Sequence, residues 1–156
     1  MRVVVQRVSS ARVVVDDETI ASIDAGMVLF VGLEKDDRPD DMTWVANKVR
    51  GLRFFEDDDG KMNLDAQGVG GSILAVPNFT VAGETERGRR PSFDNAMEPV
   101  RAEEHFELFV RLLRQGSVPV ETGRFGAEMH VSLTSDGPIT LIVERRAGAG
   151  TGDAGA

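Results

Sequence analysis

Few side chains in this 156-residue chain are suited to chemistry. Cysteine is absent, which excludes thiolate nucleophiles, thiolate metal ligands and disulfides. The two histidines, His105 and His130, have no partner at metal-ligand spacing. His105 falls beside the apolar stripe of a helix, and His130 alternates with Met129 and Val131. Both read as packing or surface residues, and no Ser-His-Asp triad assembles. Two segments remain. In the first, an apolar run ends at Pro77-Asn78-Phe79-Thr80, and Arg87, Arg89 and Arg90 follow closely in a Gly- and Pro-punctuated loop. Proline cannot donate to a sheet ladder, so the strand should kink or lie at an edge there. Backbone N–H groups after such an interruption are suited to an anion or a developing oxyanion. The arginines form the densest basic patch of the chain and suit a phosphate. The second segment is Gly137-Pro138 within TSDGPIT, which reads locally as a hairpin turn between EMHVSL and ITLIVE.

The elements that must position these residues follow from the apolar pattern. RVVVQRV, ARVVV, TIASI and MVLFVGL are four short β-branched runs, with VDDET as a hairpin turn. From Asp40 the period changes. Met42, Val45, Val49 and Leu52 share one helical face, with Asp40 or Asp41 as N-cap behind Pro39. FFEDDDGKMNLD reads as a loop or hairpin, and SILAV as a buried strand. A second helix starts at Pro99, buries Phe106, Phe109, Val110 and Leu113, and has Gly116 at its C′ position. SVPVET, EMHVSL and ITLIVE are closing strands. The expectation is α+β: mostly antiparallel sheet forming a barrel-like core with two helices. Residues 1–146 should form one domain. The Gly/Ala-rich residues 147–156 should form a disordered tail.

Hydrophobic residues at 41% and charged residues at 28% suit a soluble globular protein. No apolar run reaches the ~18 residues of a membrane helix. The start MRVVVQRV is too short and too quickly charged for a signal peptide, so a cytoplasmic, membrane-free protein is expected. A net charge of −8 argues against broad nucleic-acid binding but leaves room for a small basic site. The acidic runs read as solvated turns. DDDGKMNLD lacks the spacing and the glutamate of a calcium-binding EF-hand loop. No metal or cofactor is expected.

Taken in order, QRVSSA, VGLEKDD, KMNLD, GGSILAV, TERGRRPSF, TGRFGAEMHVSL and DGPIT resemble the D-aminoacyl-tRNA deacylase family. The likeness runs from Met1 to about Glu144, and the ordered series is far more specific than any one motif. It implies a homodimeric, metal-independent hydrolase that removes D-amino acids esterified to tRNA. The family carries a Ser-Gln-Phe-Thr-type segment and a Gly–cis-Pro segment inserted into the partner's site. Here Phe79 and Thr80 match, whereas Pro77 and Asn78 depart. A sister group that clears L-alanine also starts this segment with proline, lacks the phenylalanine and carries its Gly-Pro in the trans form. It stays open as an alternative. So does a non-catalytic nucleic-acid-binding module on the same fold.

The resemblance implies roles. Carbonyls of Gly137 and Pro138 would hold the substrate's α-ammonium, and Asn78, Phe79 and Thr80 would hold the ester carbonyl. An L side chain would then strike the turn, whereas D-amino acids and glycine would pass. Arg7 would hold the partner's Gly-Pro turn. Phe125 and Met129 would line the site near the terminal adenosine or the turn. Arg87, Arg89 and Arg90 would contact the acceptor end of tRNA. Apart from the resemblance, Arg7 reads as a surface charge, Thr80 as a strand residue, and Phe125 and Met129 as core. RVVVQRV and ITLIVE are apolar enough to contribute to a dimer interface.

Overall fold

A computed structural model describes residues 1–146; the tail expected at 147–156 lies outside the described residues. Strand β1 (Arg2–Val15) turns into β2 (Glu18–Ile23), and β3 (Gly26–Gly32) returns beside β1. Helix α1 (Pro39–Arg50) and the short strands β4 (Phe55–Glu56) and β5 (Met62–Leu64) lead to β6 (Ser72–Pro77). A 3₁₀ turn (Phe79–Ala82) follows, then helix α2 (Pro99–Leu113), β7 (Val120–Thr122) and β8 (His130–Glu144). The main sheet has the order β2-β1-β3-β6-β7, and β8 lies on the other side of β1, so the sheet nearly closes into a barrel. The expected α+β barrel-like core with two helices is what forms.

The first two apolar runs form a single strand. A register shift between Val8 and Ser10 lets β1 serve two cores. Val3 and Val5 pack into the layer under the helices, whereas Val8, Ala11, Val13 and Val15 pack into the barrel interior. An irregularity in the ladder moves the following residues to the opposite face. The β1–β2 hairpin turns at Asp16 and Asp17, both with positive φ (48° and 64°), as a two-residue turn matched to the strand twist requires.

Two pairings are parallel, β3 with β6 and β6 with β7. Each needs a long crossover, and these crossovers carry α1 and α2. Burial on both faces explains the unbroken apolar run SILAV: Ile73 and Ala75 join the helix-side core, Leu74 and Val76 the barrel interior.

Local details differ from expectation. Arg38 is the N-cap of α1, with Pro39 in its first turn, and Asp41 at N3 accepts from the Arg38 N–H at 2.9 Å. Asp41 therefore caps from inside the helix. Helix α2 has its C-cap at Arg114, so Gly116 lies one residue beyond the C′ position. FFEDDDGKMNLD does form a hairpin, β4–β5.

TSDGPIT is not a hairpin. Gln6 pairs with Thr140 and Val8 with Ser135, so residues 136–139 stand opposite Arg7 alone as a bulge inside one continuous strand. The flanking apolar runs do not pair with each other; both pair with β1. The Gly137-Pro138 peptide is cis.

Candidate functional site

Strand β6 ends at Pro77, which still faces Val31 of β3 although the pairing with β7 stops at Ala75. The strand is therefore internal along most of its length, and Pro77 terminates it instead of marking an edge. The Asn78 N–H donates to the Val31 carbonyl oxygen at 2.8 Å, which holds the chain against β3 for one more residue. The backbone then coils into the 3₁₀ turn. Val81 N–H bonds Asn78 O at 3.2 Å, and Gly83 N–H bonds Thr80 O at 2.9 Å. The first amides of such a turn have no partner within it. Among the described residues, the N–H groups of Phe79 and Thr80 donate to no backbone carbonyl. Thr80 thus belongs to a 3₁₀ turn and not to a strand. Its hydroxyl donates to the Asn78 side-chain oxygen in a short contact.

Beside this turn, at the carboxyl ends of β3 and β6, lies a cavity of about 700 Å³. Its wall is largely apolar and includes Asn78, Phe79, Phe93, Phe106, Phe125 and Met129. Phe79, 60% exposed, meets Phe93 edge-on at 5.3 Å between ring centroids. Phe106 of α2 reaches Phe125 at 6.4 Å. Glu98 is the one acidic side chain on the wall; it caps α2 by accepting from the N–H groups of Val100 (3.1 Å) and Arg101 (3.2 Å). Loop 123–129 closes one side. Its Gly123 N–H bonds Ala75 O at 2.8 Å, and a Cβ at Gly123 would lie 2.8 Å from Met129 Sδ and 3.3 Å from Pro77 Cδ. A side chain at this position would push Met129 aside and crowd Pro77.

Arg87, Arg89 and Arg90 sit in an exposed loop whose neck is closed by paired backbone bonds between Glu84 and Ser92, at 2.8 and 2.9 Å. The loop leaves the 3₁₀ turn and returns at Phe93, so it is anchored at the cavity although its arginines do not line it. They make no ion pair among the described residues.

Arg7 is buried, 6% exposed, and so is not a surface charge. It bonds Asp136 O at 3.1 Å and Phe54 O at 3.0 Å. It therefore grips the Gly137-Pro138 bulge of its own chain. Gly137 and Pro138 do not line the cavity of their own chain.

Neither histidine lines the cavity. His105 Nδ1 lies 2.9 Å from Arg101 O, and His130 is exposed at the start of β8. Among the described residues no group of three or more His, Asp or Glu could hold a metal. No described helix is long and apolar enough to cross a membrane.

Of the residues singled out from sequence, Asn78, Phe79, Phe125 and Met129 meet on one cavity, with Thr80 bonded to the first. Arg7, Gly137 and Pro138 form a second group around the bulge. Phe93, also on the cavity wall, lies at the end of the TERGRRPSF motif, whereas Met97 and Phe106 had carried no signal beyond ordinary apolar patterning.

The family model described as D-Tyr-tRNA(Tyr) deacylase matches residues 4–144. A Thermotoga petrophila protein named D-aminoacyl-tRNA deacylase is 49% identical over 144 residues, covering 92% of this chain and 97% of its own. One of the same name from Chloroherpeton thalassium is 52% identical over 145 residues, covering 92% and 95%. A solved structure described as "c-Myc DNA Unwinding Element Binding Protein" superposes with a TM-score of 0.89 at 34% identity, covering 94% of this chain and 100% of that one. A second, described as a probable eukaryotic D-amino acid tRNA deacylase, has a TM-score of 0.78 over 91% of this chain and 97% of that one; its 16% identity speaks for the fold alone. By the extent of the family match and the identity of these relatives, the chain belongs to the D-Tyr-tRNA(Tyr) deacylase family.

Proposed function

We propose that this chain hydrolyses the ester joining a D-amino acid to the 3′ end of tRNA, releasing free amino acid and tRNA. The observation that carries the reading is the pair of unpartnered amides of Phe79 and Thr80 beside an apolar cavity, in a chain of this family. Two neighbouring N–H groups without a partner suit the oxyanion that forms when water adds to an ester carbonyl. The terminal ribose leaves with its oxygen, and its neighbouring 2′-hydroxyl helps activate the water, which accounts for a site without histidine. Thr80 acts as a hydrogen-bonding group, its hydroxyl oriented by Asn78. Phe125 and Met129 border the terminal adenosine, and Arg87, Arg89 and Arg90 contact phosphates of the acceptor end.

The active unit in this reading is a two-fold homodimer working in the cytoplasm, where charged tRNA is used. Two features support the dimer. Leu141 and Ile142 of β8 are exposed (39% and 65%), and the Gly137-Pro138 bulge stands away from its own chain's cavity. Inserted into the partner's site, the carbonyls of this bulge would accept the substrate's α-ammonium. With the ammonium and the ester carbonyl both fixed, a D side chain points outward and an L side chain strikes the bulge. Selection by exclusion leaves glycine unopposed, so glycyl-tRNA is also a substrate.

The test is deacylation of D-tyrosyl-, D-alanyl-, glycyl- and L-alanyl-tRNA at equal enzyme. Fast cleavage of the first three with slow L-alanyl cleavage is expected. Fast L-alanyl cleavage would assign the chain to the L-alanine-clearing group instead, as Pro77 would suit. The likeness to a structure named for DNA binding favours a second reading, a nucleic-acid-binding module. Nucleic-acid binding without cleavage of any of the four esters would select it.

A further inference from the structure

Two arginine-bearing loops border the cavity without their arginines lining it, and only one of them is the Arg87–Arg90 loop. Arg124 sits in the other, the loop that places Phe125 and Met129 on the cavity wall. Its backbone is fixed: Gly123 N–H is tied to Ala75 O at 2.8 Å, and Arg124 O accepts from Ala127 N–H at 3.3 Å. Its side chain is exposed and makes no hydrogen bond or ion pair among the described residues. In a chain of net charge −8, a fixed and unpaired cation beside an apolar cavity stands out.

Each loop pairs an aromatic ring with a cation. Phe93 follows the Arg87–Arg90 loop and packs on Phe79, whereas Phe125 follows Arg124 and packs near Phe106. Single-stranded nucleic acid is bound by this combination, with bases on aromatic surface and the phosphate backbone along cations. One basic loop would anchor a single stretch of backbone. Cations on two separate loops that border the base-binding surface would set the direction in which the strand crosses it.

We propose that Arg124 is a phosphate contact for the single-stranded 3′ end of the substrate, so that the strand spans the cavity mouth from the Arg87–Arg90 loop to Arg124. This rests on the tRNA-ester reading above. Arg124 takes no part in bond breaking. It positions the strand, and it makes the enzyme prefer an ester carried on a nucleic-acid strand over the same ester on a single nucleoside.

The experiment compares wild type, Arg124→Ala, Arg124→Lys and Arg111→Ala. Arg111 is an exposed α2 residue that does not line the cavity. Affinity for uncharged tRNA is measured across a salt series, and kcat/KM is measured for D-tyrosyl-tRNA and for the D-tyrosyl ester of adenosine, which has no phosphate. Arg124→Ala should weaken tRNA binding and reduce the slope of log affinity against log salt by about one. The tRNA-to-nucleoside ratio of kcat/KM should fall about tenfold, mainly through KM. Arg124→Lys should recover most of both, and Arg111→Ala should match wild type. An unchanged salt slope in Arg124→Ala overturns the proposal, as does an equal loss on both esters, which would mark a packing role. A wild type that binds tRNA but cleaves neither ester overturns the hydrolase reading instead, and the salt slope still decides Arg124.

Discussion

Arg7 of β1 reaches across to the carbonyl oxygen of Asp136 at 3.1 Å, directly before the Gly137-Pro138 bulge, and the same guanidinium bonds Phe54 O at 3.0 Å. A buried fork of donors thus ties the bulge to the β4 neighbourhood under the helices. Asp136 adds a carboxylate oxygen 3.3 Å from Arg7 Nε, but at 55% exposure that ion pair matters less than the two carbonyl bonds.

Arg7→Ala should therefore destabilise the chain by about 2–3 kcal/mol, since two carbonyls lose a charged donor. Arg7→Lys should recover only part, because an ammonium lacks the planar fork that reaches both acceptors. Urea unfolding gives the first quantity. Hydrogen exchange at residues 136–139 tests the link to the bulge: faster exchange there is expected, and unchanged exchange would mean the bulge holds itself.

The amide of Phe79 can be separated from its ring. Phe79 opens the 3₁₀ turn, where its N–H has no partner within the turn, so proline at position 79 removes the amide without breaking a bond of the turn. Phe79→Ala and Phe79→Pro both lose the ring, but only the second loses the N–H. If that N–H holds the oxyanion, kcat of Phe79→Pro should lie about 10²-fold below that of Phe79→Ala. Equal rates would remove Phe79 N–H from the chemistry.

Acid stability should depend on Glu144. Partial burial pushes its carboxyl up, but hydrogen bonds from Arg2 and Arg146, and their charges, outweigh this and hold it below the ordinary 4.5. Because the folded value lies below the unfolded one, the unfolded chain binds more protons in the window between them. The stabilisation is present above 4.5 and is lost as pH falls through the folded value. Glu144→Gln should cost about 0.5–1 kcal/mol at pH 7, as suits a partly exposed pair, and nothing once both forms are neutral. Thermal melts of both proteins from pH 7 downward check the convergence.

The sequence pattern carried the elements further than their connections. Strand β6, both helices and the β1–β2 turn follow from runs of apolar residues and turn chemistry that act locally. The 136–139 bulge does not, because turn residues look alike whether the flanking strands pair with each other or with a third. Only the long β1 ladder decides that. The merging of RVVVQRV with ARVVV has the same cause: Ser9-Ser10 reads as a break, yet it marks a register shift inside one strand. In the site, Phe79, Phe93, Phe125 and Met129 carried motif signals, whereas Met97 and Phe106 look like ordinary apolar residues until α2 is folded over the strand ends. The hydrogen bonds of Arg7 could not be read either, since its acceptors are backbone atoms 47 and 129 positions away.

Mixed dimers test whether the bulge works in the partner's site. A Cβ on Gly137 would sit 2.8 Å from Ile139 Cγ1 and 2.9 Å from Ile139 N, with φ at +125°, so Gly137→Val must displace the bulge. It leaves the cavity residues of its own chain untouched. Phe79→Pro has the opposite defect, a damaged site and an intact bulge. Each homodimer should be nearly inactive on D-tyrosyl-tRNA. If the bulge acts across the two-fold axis, a mixed dimer joins one intact site with one intact bulge. After unfolding and co-refolding of equal amounts, about half the dimers are mixed and each has one of two sites complete, so activity should return to about one quarter of wild type. If the bulge serves its own chain, every chain keeps its defect and mixing restores nothing. Ile142→Glu, on the exposed face of β8, gives the companion measurement. It should yield a folded monomer by sedimentation and circular dichroism, without deacylase activity. A fully active monomer would place the complete site in one chain.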